Sequence, residues 1–320
     1  MNKLFCTFLG LMAVATFALG QAKDFPQRPI KVIVPFTPGS GSDTTARFFG
    51  EQLAGVLGQP FVVENRPGAG GLIGVMAVKA APADGYTILV GSNSTVALNP
   101  IVMKDLPYDP MKDLKPLSGL TRGVTVFIVP VNSKLNTLAD IGTAAKKGQK
   151  QLNVGNYSMG YQLAAEWLAN LTGVKFTSIP YKGAAQMFTD VMGNQLDVAI
   201  ADRGAVAPLT KGGKLRALAV TGENRHPDFP GVPTVMESGY PDYVYYTWVT
   251  FHVRSETPDD VTTKLVDALQ KVLATDAAKE YAKKIGAELM PLVPVAMQKW
   301  QMDEFERFRR IAEAVGIKAQ

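Results

Sequence analysis

Two hydrophobic rhythms alternate along most of this chain. Short apolar runs of strand character stand at residues 30–36, 61–64 and 86–91, each closed by glycine, proline or polar residues. Between them, residues 42–57 set Ala46, Phe49, Leu53 and Val56 on one face of a helical period, with Ser42 as a candidate N-cap, and residues 71–81 form a second helical run. The order βαβαβ predicts a parallel sheet with right-handed crossovers.

A proline-marked stretch, LNPIVMKDLPYDPMKDLKPLSGL, interrupts the pattern before the apolar run 124–129. The alternation then restarts with helix 138–147, strand 152–154, helix 162–171, strand 176–180, helix 184–192 and strands 196–201 and 215–221. The tail adds a strand-like run, 245–253, and helices 259–274, 277–285 and 295–315, which have no sheet of their own. Two βα runs predict two similar α/β domains, each a mostly parallel sheet flanked by helices. If the last helices pack on the first domain, the chain crosses between domains twice. The expected boundaries are 23–124 plus 230–320 for domain 1 and 125–229 for domain 2.

The first residues read as an address. Lys3 is followed by an apolar stretch, 4–19, and by small residues at Ala18, Gly20 and Ala22, the layout of a secretory signal peptide (residues 1–22) cleaved after Gly20 or Ala22. The one cysteine, Cys6, lies inside that segment, so the exported chain would carry no disulfide, thiolate metal site or cysteine nucleophile. No later run is long and apolar enough to span a membrane. An apolar content of 47% is sufficient for a substantial core without cross-links. The formal charge of +5 is mild and scattered, which argues against a nucleic-acid partner.

The candidate chemistry lies in two glycine-rich turns. PFTPGSGSDTTAR follows the first strand and NRPGAGGLIG the second, each opening a helix. Such turns aim unpaired backbone N–H groups at one place, where the helix dipole also favours negative charge. Each alone reads more readily as turn geometry without a ligand; two in consecutive βα units suggest a pincer for an anion. GAGGLIG departs from the dinucleotide fingerprint at Ile73, and no Walker sequence occurs. Of the two histidines, His226 sits in a polar loop and His252 in a strand, and neither has a metal-ligand partner at helical spacing. There is no G-x-S-x-G elbow. No catalytic residue, metal or cofactor is expected.

The segments FPQRPIKVIVPFTPGSGSDTTAR, VENRPGAGGLIG, ADGYTILVGS, LPYDPMKDLKPLS, IPYKGAAQMFTDVMGNQLDVAIAD, GGKLRALAVTGENR and GVPTVMESGYPDY occur in that order. They span nearly all of the mature chain, which thereby resembles the extracytoplasmic solute-binding receptors of tripartite tricarboxylate transporters, the TctC and Bordetella uptake (Bug) proteins. The resemblance implies a two-domain Venus-flytrap fold of the type II-like periplasmic kind. It further implies a monomeric receptor without catalysis that hands a small organic acid to membrane subunits of a tripartite tricarboxylate-type transporter. A receptor serving a sensor system, or an exported hydrolase, are the alternatives.

Carried over by motif, the resemblance points to Phe36, Thr37, Pro38, Gly39 and Ser40 in the first turn and to Gly68, Ala69 and Gly70 in the second, with Ser92 closing ADGYTILVGS. Asp43 matches a family aspartate and is expected to order the loop. In the second domain, VGNYSMGYQLAAEWL replaces the family's usual run of glycines and serines ending in histidine. Tyr157, Ser158, Tyr161 and Gln162 there either stack on a flat ligand or fill space. Tyr181 and Gly183 belong to a PYKG turn, and Asp202 matches an aspartate near the ligand's far end. Arg203 is a departure; it either pairs with a second carboxylate in bidentate geometry, pairs with Asp202, or lies at the surface. Which acid is bound is not readable from the residues.

Overall fold

The computed structural model describes residues 25–148, 151–317 and 319, so the predicted signal peptide lies outside the described residues. In chain order the first elements are β1 (Ile30–Val34), α1 (Gly41–Leu57), β2 (Phe61–Asn65), α2 (Leu72–Lys79) and β3 (Thr87–Ser92). They are followed by β4 (Leu114–Pro130), α3 (Leu138–Gly148), β5 (Leu152–Asn156), α4 (Met159–Thr172) and β6 (Phe176–Pro180). Next come α5 (Ala184–Met192), β7 (Val198–Asp202), α6 (Arg203–Lys211), β8 (Leu215–Val220) and β9 (Tyr246–Arg254). The chain ends with α7 (Asp259–Leu273), α8 (Asp276–Ile285), β10 (Ala287–Leu289) and α9 (Pro294–Ala314).

β1 lies between β2 and β3 and is parallel to both, Val32 standing opposite Val63 on one side and Ile88 on the other. Its run Ile-Lys-Val-Ile-Val is buried except for Lys31, as a strand covered on both faces requires. α1 covers one face by burying Ala46, Phe49 and Leu53 against the same core as Val261, Leu265 and Leu269 of α7. The second parallel set runs β6-β5-β7, with Val154 opposite both Ser178 and Val198.

The two sets are joined by antiparallel strands, so the sheet is mixed where the sequence suggested mostly parallel. β9 runs antiparallel to β3 and to the first half of β4, up to the pair Val124 and Tyr246. One residue later β4 changes partners: Thr125 stands opposite Asp202 of β7, and Val126 opposite Val220 of β8. The physical reason is connectivity, since strands that carry the chain from one set to the other run against those they leave. β4 also begins far earlier than its apolar run 124–129 suggested. Its Pro116 lacks a donor, and the register shifts between Pro116 and Ser118. α6 and β10 had no sequence signal, α6 because Pro208 falls within it and β10 because it is three residues long.

The return path is hydrogen-bonded where it leaves β8. The buried Thr221 hydroxyl accepts from the Thr125 N–H at 2.9 Å and donates to the Tyr245 carbonyl at 2.7 Å. The Thr221 carbonyl takes the Tyr245 N–H, also at 2.9 Å. Both crossings are thus tied at one point. α9 straddles the two sets: Phe308 and Ile311 share a core with Leu163 and Tyr243, and Arg307 donates to the Val244 carbonyl at 2.8 Å.

Candidate functional site

A cavity of about 550 Å³ lies where the carboxyl ends of β1, β2 and β3 face those of β5, β6 and β7. Ligands bind beyond the carboxyl ends of the strands in open α/β sheets because the strand-to-helix turns gather there.

The first turn is held by its own polar network. Ser40 caps α1, its hydroxyl accepting from the Asp43 N–H at 3.3 Å. The Asp43 carboxylate accepts from the Gly39 N–H at 2.9 Å, from Arg47 Nε at 3.1 Å and from Asn65 Nδ2 at 2.9 Å. Burial works to raise the Asp43 carboxyl, but these donors outweigh it and hold the group below its ordinary value. Asn65 also donates to the Phe36 carbonyl at 3.0 Å, so the end of β2 braces the turn after β1. Asp43 therefore orders the loop. Gly41 and Ser42, the first residues of the helix, line the cavity, and N–H groups in a helix's first turn have no carbonyl one turn back.

The second turn depends on positive φ. Gly70 has φ 62° and Gly71 φ 93°, and a Cβ on Gly71 would come within 2.5 Å of Thr95 Cγ2. Ala69, a non-glycine, holds φ 46°, a conformation that marks a turn fixed by its surroundings. Asn99 Nδ2 fastens this turn by donating to the Gly70 carbonyl at 3.1 Å. A third turn follows β3: Ser92, Asn93 and Ser94 are buried and line the cavity, and the chain winds into a wide, π-type turn at Ser94–Leu98. Asn93 donates to Tyr245 Oη at 2.6 Å, reaching toward the second sheet set.

The opposite wall is built by β5, β6 and β7. Ser158 caps α4 by accepting from the Tyr161 N–H at 3.4 Å. The rings of Tyr157 and Tyr161 lie 4.6 Å apart between centroids. Tyr157 donates to Asp202 Oδ2 at 3.0 Å, and Thr247 of β9 donates to Asp202 Oδ1 at 3.2 Å. Burial pushes both tyrosine hydroxyls well up, and the Asp202 carboxylate adds to it, so both stay protonated at neutral pH.

Of the residues singled out from the sequence, Phe36, Thr37, Ser40, Gly68, Ala69, Gly70, Ser92, Tyr157, Ser158, Tyr161, Tyr181 and Asp202 line this cavity. Pro38, Gly39, Gln162 and Gly183 do not. Gly39 acts through its N–H on Asp43, and Gly183 faces the first turn, a Cβ on it falling 3.6 Å from Thr37 Oγ1. Gln162 sits within α4, its N–H bound to the Ser158 carbonyl at 3.1 Å.

The expectation for Arg203 as a ligand partner is corrected. Its side chain is buried away from the cavity and pairs with Asp228 at 2.7 Å. The guanidinium occupies the space that a Cβ on Gly286, at the end of α8, would fill. The reason is helical geometry: Asp202 closes β7 facing the cleft, and the next residue, starting α6, points elsewhere.

Sequence reasoning missed Asn93, Ser94 and Thr247 as lining residues. Thr247 and Trp248 reach the cavity only because β9 pairs beside β3, and no motif announces that. Trp248 is anchored from behind, its Nε1 donating to Glu304 Oε2 of α9 at 3.2 Å. Among the described residues no group of three or more His, Cys, Asp or Glu side chains is placed to hold a metal ion.

Comparison with known proteins agrees with this architecture. The family described as "Tripartite tricarboxylate transporter family receptor" matches residues 45–317. Protein BugT of Bordetella pertussis is 32% identical over 322 residues, covering 99% of both chains. The solved structure of R. palustris Rpa4515 with adipate superposes with a TM-score of 0.88 at 32% identity, covering 93% of this chain and 100% of that one. MatC from Rhodopseudomonas palustris with bound malate gives 0.83 at 27% identity, covering 90% of this chain and 99% of that one. The periplasmic binding protein BugD gives 0.85 at 30%, covering 92% and 100%.

Fold and cleft together define a solute-binding receptor of the periplasmic binding protein kind, not an enzyme. The chain belongs to the receptor family of the tripartite tricarboxylate transporters.

Proposed function

We propose that this chain captures a small organic acid in the cleft between its two sheet sets and delivers it to the membrane subunits of a tripartite tricarboxylate-type transporter. The observation that carries this reading is the convergence of three strand-to-helix turns, after β1, β2 and β3, on one cavity whose opposite wall belongs to the other sheet set. The ligand's carboxylate sits against the amides of the first two turns, near Ser42 and the 68–71 segment, where helix N-termini supply the positive end. Adipate and malate in the structures of Rpa4515 and MatC support an acid as the ligand class.

We place the lobe boundaries at Val124/Thr125 and Tyr245/Tyr246, where β4 and the return path exchange sheet sets; the second lies later than residue 230. Hinge closure there brings the walls together, and closure follows only if the ligand binds the closed form better. The receptor works in the periplasm as a monomer. Among the described residues no helix is long and apolar enough to cross a membrane.

The test is a thermal-shift screen of the mature protein, refolded to strip carried-over ligand, against mono-, di- and tricarboxylic acids. An acid at a thousand times its Kd should add about 4 kcal/mol of stability. Response to one class of acid is the expected result; a panel without response overturns the reading.

A further inference from the structure

The far wall of the cavity presents an acid where a receptor for a second carboxylate would need a base. Asp202 closes β7 and lines the cavity. Its oxygens accept from Tyr157 at 3.0 Å and from Thr247 at 3.2 Å, and the Tyr161 hydroxyl is a third hydrogen-bonding neighbour. A carboxylate offers about four acceptor positions, so about one remains. Among the described residues no basic side chain lies within ion-pair distance of Asp202, Arg203 being turned to Asp228. Lys182 is the one basic residue among those lining the cavity, and it is exposed. Tyr157 cannot serve an incoming anion, because its proton is committed to Asp202.

Resting on the carboxylate-receptor reading, we infer that Asp202 selects acids whose other end donates a hydrogen bond: a hydroxyl, an ammonium or a ring N–H. Such a donor completes the acceptor set of Asp202. A second carboxylate within about 5 Å of Asp202, at an effective dielectric near 20, is instead disfavoured on the order of a hundredfold. Asp202 Oδ2 also lies 3.8 Å from where a Cβ on Gly41 would stand, so the acid faces the N-terminus of α1 across a narrow gap. The ligand's carboxylate therefore stands away from Gly41, at the 68–71 turn, and its donor end reaches Asp202 from across the cavity. The paired rings of Tyr157 and Tyr161 beside Asp202 suit a cationic or aromatic donor group equally well.

The experiment is titration calorimetry on the mature protein with two matched series. One is butanoate, 4-hydroxybutanoate, 4-aminobutanoate and butanedioate; the other is benzoate, 4-hydroxybenzoate, 4-aminobenzoate and benzene-1,4-dicarboxylate. In at least one series the hydroxy or amino acid should bind tenfold or more tighter than both the unsubstituted acid and the diacid. Asp202→Asn should shrink that preference at least tenfold, since asparagine offers an amide donor to an anion and carries no charge. A merely structural role for Asp202 would weaken every acid alike and leave the ratio fixed, which overturns the inference. So does a diacid that binds as tightly as the hydroxy acid, most clearly if Lys182→Ala then weakens the diacid alone. If no acid in either series binds, the carboxylate-receptor reading itself fails.

Discussion

Replacing Arg203 with alanine should cost stability and leave the choice between acids untouched. The side chain is 8% exposed and its partner Asp228 25% exposed, 2.7 Å away. Removing one member of a fully buried pair costs about 3–5 kcal/mol, because the other is left charged and dry. Asp228 is better placed than that: it keeps Lys211 at 3.4 Å and some contact with water. The loss should therefore be about 2–3 kcal/mol, or roughly 4–8 °C in melting temperature for a chain of this size. Denaturant unfolding of Arg203→Ala, Asp228→Asn and the double variant would isolate the pair, with a coupling of about 1–2 kcal/mol expected. Titrations with a monocarboxylate and its matched diacid should show the same change, if any, for both. A loss below about 0.5 kcal/mol, or a drop in diacid affinity alone, would refute the reasoning by putting the guanidinium within reach of the ligand.

Two further outcomes follow from the same structure. His252 is fully buried between Thr250 and Gln301, and burial pushes its pKa down to about 4 despite the Gln301 hydrogen bond. Because the folded value lies below the unfolded one, near 6.5, its contribution is complete above pH 6.5 and is lost as pH falls toward 4. The wild type should then lose about 3 kcal/mol more than His252→Gln across that window, and parallel curves for the two proteins would contradict this. Gly71→Ala must hold φ 93° and press a methyl to 2.5 Å from Thr95 Cγ2, so the second turn should distort and acid affinity fall at least tenfold. Unchanged affinity in a titration would remove that turn from the site.

Much of this protein was legible in its residue order because the deciding forces were local. The alternation of apolar periods gave the βα units, since an element must bury the face its period creates. The glycines of the first two turns marked one wall of the cavity, since few other residues hold the positive φ that these turns require. The matching segments from Phe25 to Tyr243 carried the family. Tertiary structure decided what depends on pairing across the chain. β4 exchanges one sheet set for the other at Thr125, where it meets Thr221, 96 residues on. Thr247 and Trp248 enter the cavity only because β9 lies antiparallel between β3 and β4. Asp202 and Arg203 are neighbours in sequence and end in different environments, one facing the cavity and the other in a buried ion pair with Asp228. A strand that turns directly into a helix redirects successive side chains, and only the packing of α6 against its surroundings fixes which of the two faces the cleft.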